Sequence, residues 1–342
     1  GFKMAGEGMM TLVYIGLWYA LNIGYNIYNK DLCNGFPLAY TVGTTSLGAG
    51  LIYVLPNWYL GIRPVPKMDS EDVKNIGIIS VLHCVGHFGA VISMSMGAVS
   101  FTHIVKAAEP VFSTVLAGLI LNKWAAWQVN LSLVPVILGV VIASVKINFD
   151  TYAIELGDFN MGAFVAANIS NLAFALRSMY MKKMDDSPEK KAACKSKNLD
   201  SANIYAVYTI FAFILAIPLA LYMEGAEVVA LSGSMGSASY NSATISGALG
   251  ANAYKLMEMH LITGLFFYLY NEASSLALGN LDSVQHAVCN TVKRVVIMVA
   301  MSFFDTPLTL QKWTGAGIAI GGTLVYTLVK NSVEAAAKKK KA

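Results

Sequence analysis

Two adjacent cations, Lys293 and Arg294, sit in the middle of an apolar stretch, residues 283–304, SVQHAVCNTVKRVVIMVAMSFF. A helix needs ~20 residues to cross a bilayer, and this stretch is long enough. A cation at the centre of such a helix costs roughly 2.5–3.5 kcal/mol, so an adjacent pair is sustained only by a wet cavity, a partner or a ligand. A third cation, Lys106, lies within another apolar stretch, SFTHIVKAAEPVFSTVLAGLIL, with Glu109 three residues on. That spacing puts both on one helix face. Either they form an internal salt bridge, or Lys106 reaches a ligand while Glu109 positions it. Three cations against one carboxylate suit a dianion. Arg grips two phosphate oxygens at once and Lys acts as a point charge. A phosphate ester fits this balance, and a sulfate or carboxylate also satisfies it. The expected chemistry is anion binding, in a protein that moves the anion across a membrane.

Other polar residues fall in the same kind of stretch. His83 and His87 share a face, and His103 follows. No thiolate or carboxylate stands at metal-ligand spacing from them, so no metal is expected. They serve either as hydrogen bonds between helices or, for His87 at least, as a ligand contact. Gly86, Gly89 and Ala90 make that face small, which permits close helix approach or leaves room for a ligand. Pro110 lies inside its stretch and predicts a kink. Glu272 is expected to offset one more charge. GxSxG, HExxH, paired intramembrane aspartates and phosphate-cradling glycine loops do not occur. No catalytic residue and no cofactor is expected.

The elements that hold these residues follow from composition. The chain has 342 residues, 56% hydrophobic and 13% charged, with mean hydropathy +0.56. Soluble proteins carry about 25% charged residues. The reading is an all-α membrane protein. Ten transmembrane helices are expected, at 9–29, 36–61, 75–97, 100–121, 126–145, 160–181, 202–223, 259–279, 283–304 and 314–330. Ten spans place both termini on one side. That side then collects Lys3, Arg63, Lys67, Lys74, Lys123, the lysines of 182–197, Lys330 and the tail Lys338–Lys341. The other side holds Lys30, Lys146, Lys255 and Lys312, the asymmetry that the positive-inside rule rewards. The basic tail reads as an orientation signal, and no nucleic-acid partner is expected. Cys33, Cys84, Cys194 and Cys289 form no disulfide framework. The chain opens Gly1-Phe2-Lys3 with no initiator Met, the start expected of a mature or trimmed product, from which any targeting peptide would be missing. Residues 184–200 and 225–256 read as mobile surface loops, the second rich in Ser, Gly and Ala.

A shift of 183 residues lays His87 on Tyr270, His103 on His286, Gln128 on Gln311 and Gly139 on Gly322 without a gap. It also lays spans three to five on spans eight to ten. Two five-span halves, 1–150 and 151–342, then have opposite orientation, an inverted repeat with the substrate site between them. Tyr270, as the mate of His87, becomes a second candidate ligand contact.

The motifs resemble those of one family. Trp18-Tyr19, Asn22, Asn26, Asn29-Lys30 and Phe36-Pro37 resemble the first helix and turn of the plastid sugar-phosphate/phosphate translocators. His83-x-x-Gly86-His87 resembles their third helix. Ala98 to His103, Lys106 and Glu109-Pro110 resemble their fourth, the most specific segment. Tyr270-Asn271 and Asn290-x-x-Lys293-Arg294 resemble their eighth and ninth. The resemblance implies the drug/metabolite transporter superfamily and ten helices in two inverted five-helix halves. It also implies exchange of inorganic phosphate for phosphorylated sugars or C3 acids in the inner plastid (chloroplast) envelope. By resemblance, Lys106, Lys293 and Arg294 bind the phosphate, while His87, Tyr270 and the wall at Ala90 meet the other end of the substrate. His103, Glu109 and Glu272 support them.

The chain departs from the pattern in places. The triose-phosphate type carries a hydroxyl residue where this chain has Ala90; Ala90 and Ser93-Met94-Ser95-Met96 resemble the hexose-phosphate type. Tyr270 and His286-Ala287-Val288 resemble the triose type, and Glu272 replaces a Gln. The expected activity is antiport of phosphate against triose phosphate or 3-phosphoglycerate. Hexose- or pentulose-phosphate exchange, or nucleotide-sugar transport in the same superfamily, stands as the alternative. An intramembrane enzyme using His87 and Glu109, and an anion channel, are rivals from other classes.

Overall fold

The computed structural model describes residues 2–122, 124–144, 146–148, 153–155, 160–184, 187–234, 253–281 and 283–339. The first half holds α1 (Phe2–Gly35), α2 (Ala39–Gly48), α3 (Leu51–Tyr59), α4 (Ser70–Met96), α5 (Val99–Lys106), α6 (Glu109–Leu121), α7 (Trp127–Leu131) and α8 (Val134–Ser144). A short hairpin, β1 (Lys146–Asn148) and β2 (Ala153–Glu155), pairs Ile147 with Ile154 and is the one departure from all-helical structure among the described residues. Then come α9 (Met161–Met184), α10 (Pro188–Ser196), α11 (Ser201–Ser234), α12 (Ala253–Asn280), α13 (Ser283–Phe304) and α14 (Leu310–Lys339).

Helices cover each stretch in which a span was expected. By length and composition alone, four stretches among the described residues are apolar enough to cross a membrane: Ser70–Met96, Val99–Ile120, Trp127–Ser144 and Ser201–Ala230. The others are diluted by inward polar residues, such as Asn22, Asn26 and Asn29 in α1, Ser170 and Asn171 in α9, and Lys293 and Arg294 in α13.

Three expected spans are broken, two of them by proline. Proline has no N–H to donate four residues back, and its ring crowds that carbonyl. Four residues before Pro110 is Lys106, where α5 ends; four before Pro135 is Leu131, where α7 ends. Around the first break the backbone tightens to three-residue hydrogen bonds, Ala107 N–H to Ile104 O and Ala108 N–H to Val105 O. The third break, between α2 and α3, falls at Gly50, against whose backbone the Tyr268 ring lies so closely that a Cβ would come within 2.1 Å of it.

The predicted loops need correction. Residues 184–200 contain α10, capped by the Ser187 hydroxyl, which accepts from Lys190 N–H, with Pro188 in the first turn. Beyond it, the Lys197 ammonium bonds Asp69 at 2.6 Å and Asp72 at 2.8 Å, and Lys67 N–H bonds Lys197 O. The Lys197 hydrogen bond holds the Asp69 carboxyl down to about 2. Of 225–256, α11 and α12 take both ends; residues 235–252 lie outside the described residues.

Packing depends on small residues. α8 crosses α14 where Gly139 faces the backbone of Gly315 and Ala319, and Gly322 faces Val136. α4 lies along α9, and α1 along α12. Gly86 and Gly89 admit Phe174 and Ser170 of α9. Arg63, just past α3, pairs with Glu272 of α12 through two hydrogen bonds, the longer 3.3 Å, and Tyr53 Oη donates to the same carboxylate at 3.3 Å. Both charges are largely buried, 16% and 5% exposed.

Two outcomes follow for thermal unfolding of the purified protein in detergent. Gly139→Ala drives a methyl into the α14 backbone and is expected to cost about 1–3 kcal/mol, whereas Gly317→Ala, which meets nothing within 4 Å, leaves the midpoint unchanged. Glu272→Ala strands the Arg63 guanidinium and is expected to cost about 3–5 kcal/mol, most of it recovered when Arg63→Met is combined with Glu272→Leu.

A candidate anion-binding cavity

Inside the helices lies a cavity of about 600 Å³. α1, α4, α5, α6, α9, α11, α12, α13 and α14 all contribute to its wall, from Met94 and Thr102 at one end to Lys182, Ser275 and Lys330 at the other. Lys106, Lys293, Arg294, Glu109, His87, His103, Tyr270 and Ala90 all line it. Residues far apart in sequence are thus brought to one space, which helical spacing alone does not require.

Lys106 ends α5. Its Nζ donates to Ser170 Oγ at 2.7 Å and lies 4.5 Å from the centre of the Phe174 ring. The expected alternative, a salt bridge to Glu109, is not formed. The break at residues 107–108 separates the two, and the Glu109 carboxylate instead accepts from Arg294 NH2 at 3.3 Å. That is a long contact to a carboxylate still 30% exposed. Lys293 Nζ sits 4.8 Å from the Trp18 ring centre. Aromatic faces attract cations without neutralising them. Among the described residues, no carboxylate pairs with Lys106, Lys293 or Arg177.

A further cation is Arg177, near the end of the expected span 160–181. It lines the cavity, with its guanidinium 4.6 Å from the Phe174 ring centre and 5.7 Å from that of Tyr208. NH1 donates to His83 Nδ1 at 2.8 Å, which puts the His83 proton on Nε2. Ser170, Phe174 and Arg177 fall at i, i+4 and i+7, one face of α9, and that spacing is the signal that points to Arg177. With Arg177 the cavity holds four central cations against the Glu109 carboxylate.

The histidines divide their roles. His87 Nε2 donates to the Gly43 carbonyl at 3.1 Å, and its ring packs on Phe267 at 4.2 Å. This leaves Nδ1 as an acceptor. His103 Nε2 meets Asn26 Oδ1 at 3.0 Å, and Asn26 Nδ2 donates to Asn22 Oδ1 at 2.9 Å. Tyr270 packs against Tyr25 and edge-on to Phe267. Ala90 adds only a methyl, one turn from His87. The described residues contain no group of three or more His, Cys, Asp or Glu arranged to hold a metal.

One expected member is elsewhere. Glu272 does not line the cavity, and its charge is answered by Arg63. It therefore leaves the cationic excess intact, against the expectation from sequence. The side chain of His286 lies outside the described residues.

Next to Met94 and Thr102 in the cavity wall is the α4–α5 turn. Lys30 Nζ donates to Met94 O at 3.0 Å and Gly97 O at 2.8 Å. Asn160 Nδ2 donates to Met96 O at 2.9 Å, and Asp305 Oδ2 accepts from Val99 N–H at 2.9 Å. Three elements thus hold one turn.

This arrangement of cations can bind an anion. Comparison with known proteins agrees. The family model described as Triose-phosphate Transporter family matches residues 9–327. Glucose-6-phosphate/phosphate translocator 1, chloroplastic, of Arabidopsis thaliana is 33% identical, over 95% of this chain and 76% of that protein. The triose phosphate/phosphate translocator, chloroplastic, of Pisum sativum is 33% identical, over 100% and 78%. The xylulose 5-phosphate/phosphate translocator, chloroplastic, of Arabidopsis thaliana is 32% identical, over 96% and 71%. The chain belongs to the triose-phosphate transporter family and is a membrane transporter, not an enzyme.

Proposed function

We propose that this protein exchanges inorganic phosphate for a phosphorylated C3 compound, triose phosphate or 3-phosphoglycerate, by alternating access. The observation that carries the reading is the cavity in which Lys106, Lys293 and Arg294 converge with Glu109 as their one carboxylate. In the proposed site these three bind the phosphate, Arg294 through two oxygens and the lysines as point charges. His87 and Tyr270 meet the other end, His103 holds α5 to α1 through Asn26, and Glu109 occupies Arg294 until the anion arrives. The proposed setting is a plastid inner envelope; that the relatives' names say chloroplastic supports the plastid.

The proposed architecture is ten membrane-spanning helices in two inverted halves, 1–150 and 151–342. Reciprocal contacts support it. Gly139 faces Ala319 while Gly322 faces Val136, and each residue maps to its counterpart under the 183-residue shift. α4 packs on α9 as α12 packs on α1, the third helix of each half on the first of the other. The site then lies between halves that rock against each other. An empty site carries several cations that a low-dielectric passage disfavours; a bound dianion offsets them and permits reorientation. Exchange, not net flow, follows.

A second reading rests on Ala90. Its methyl leaves that wall without a hydroxyl and with more room, which favours a hexose or pentulose phosphate.

The test is uptake of labelled phosphate into liposomes holding phosphate, triose phosphate, 3-phosphoglycerate, glucose 6-phosphate, xylulose 5-phosphate or nothing. Uptake is expected to be at least about tenfold faster with a C3 phosphate inside than with empty liposomes. Lys293→Ala is expected to lower it by about tenfold or more, the loss of one charge-assisted contact. Equal uptake into empty liposomes would overturn exchange in favour of a channel. Preference for glucose 6-phosphate or xylulose 5-phosphate would establish the second reading.

A further inference from the structure

We propose that Ser170 is a positioning residue for anion binding, acting through Lys106. The inference rests on the reading of Lys106 as a phosphate ligand. Ser170 is wholly buried and does not line the cavity, so no ligand touches it. Its hydroxyl donates to the Gly86 carbonyl at 2.7 Å and accepts from Lys106 Nζ at 2.7 Å. A serine hydroxyl has one proton. With that proton committed to Gly86, only lone pairs face Lys106, and Ser170 can hold the amine solely as an acceptor.

The neighbouring residues make this a fixed anchor. Gly89 lets α9 come so close that a Cβ there would stand 3.1 Å from Ser170 Cβ, so the hydroxyl has little freedom to move. Asn171, next in α9, donates Nδ2 to Val105 O at 2.9 Å, holding the backbone turn at which α5 ends. Phe174, one turn on, covers the ammonium with its ring. The backbone turn before Lys106 and its Nζ are therefore both held by α9. A lysine side chain has large rotamer freedom, and a pre-set rotamer lowers the entropy lost on binding. An ammonium has three N–H groups. Ser170 takes one of them and leaves the others for oxyanions in the cavity.

The test is phosphate affinity of the purified protein in detergent, measured by titration with inorganic phosphate. Ser170→Ala and Ser170→Cys are compared with Lys106→Met. Cys fills nearly the same volume as Ser but is a poor acceptor. Both Ser170 variants are expected to raise the phosphate Kd by about tenfold, as loss of a hydrogen bond to a charged group would. Both are expected to keep a single cooperative unfolding transition without phosphate, at a midpoint lowered by the lost buried hydrogen bonds. With Lys106→Met already present, Ser170→Cys is expected to add less than about twofold. Unchanged affinity in Ser170→Ala overturns the inference, as does parent affinity in Ser170→Cys, which would make Ser170 a packing residue. A full additional loss in the Lys106→Met background also overturns it. If Lys106→Met itself leaves phosphate affinity intact, the phosphate reading of Lys106 fails instead, and the positioning role falls with it.

Discussion

The constraint that shapes this protein is an excess of positive charge within apolar helices. Lys106, Arg177, Lys293 and Arg294 share one cavity with the Glu109 carboxylate. The usual remedy for buried charge is a partner of opposite sign, and outside the cavity the protein uses it, at Arg63–Glu272 and at Lys197 with Asp69 and Asp72. Within the cavity it does so only for Arg294, whose contact to Glu109 is a long 3.3 Å. The cations are held by Trp18, Phe174 and Tyr208 rings, by Ser170 and by His83, all of which orient a cation without cancelling its charge. Positive potential is thereby preserved.

That preservation depends on helix geometry. Lys106 and Glu109 would meet on an unbroken helix, and their pairing would quench the charge. Pro110 prevents this because its ring ends α5 at the lysine and starts α6 at the glutamate. At the same break the carbonyl of Val105 accepts from both Ala108 N–H and Asn171 Nδ2. Close approach of α9 is possible because Gly86 and Gly89 have no side chain in the way. A helix break, a pair of glycines and a serine thus act on one ammonium group.

Much of this was legible in the sequence. Charges inside apolar stretches stand out because the cost of burying them is large, and Lys106, Lys293 and Arg294 were found that way. His87, Tyr270 and Ala90 followed from spacing, the internal repeat and resemblance. Arg177 was missed because a cation near a span end normally reaches water at little cost, so its position carries no energetic signal. Ser170 was missed because a small polar residue inside a helix is unremarkable until its neighbours are known. Glu272 was misassigned because sequence position gives a helix register but not the partner: its helix lines the cavity through Tyr270 and Asn271, whereas its own side chain turns to Arg63. The helix over 188–196 was signalled by Ser187-Pro188-Glu189, a start sequence that the surrounding charge obscured.

The division of labour within the cavity bears on why a family resemblance fixes the chemistry more firmly than the substrate. In the proposed reading, the cationic end binds what phosphate and every phosphate ester have in common. Discrimination among esters falls to the wall at the other end, where His87 is tied to Gly43, Tyr270 is packed among Tyr25 and Phe267, and Ala90 supplies a bare methyl. Such a wall distinguishes substrates by room and by a few hydrogen bonds, terms of about 1–3 kcal/mol each. The charge term is larger and is shared by all candidates. Differences at one or two wall positions can therefore redirect the preference while leaving phosphate recognition intact, and relatives named for triose, pentulose and hexose phosphates stand at 32–33% identity to this chain.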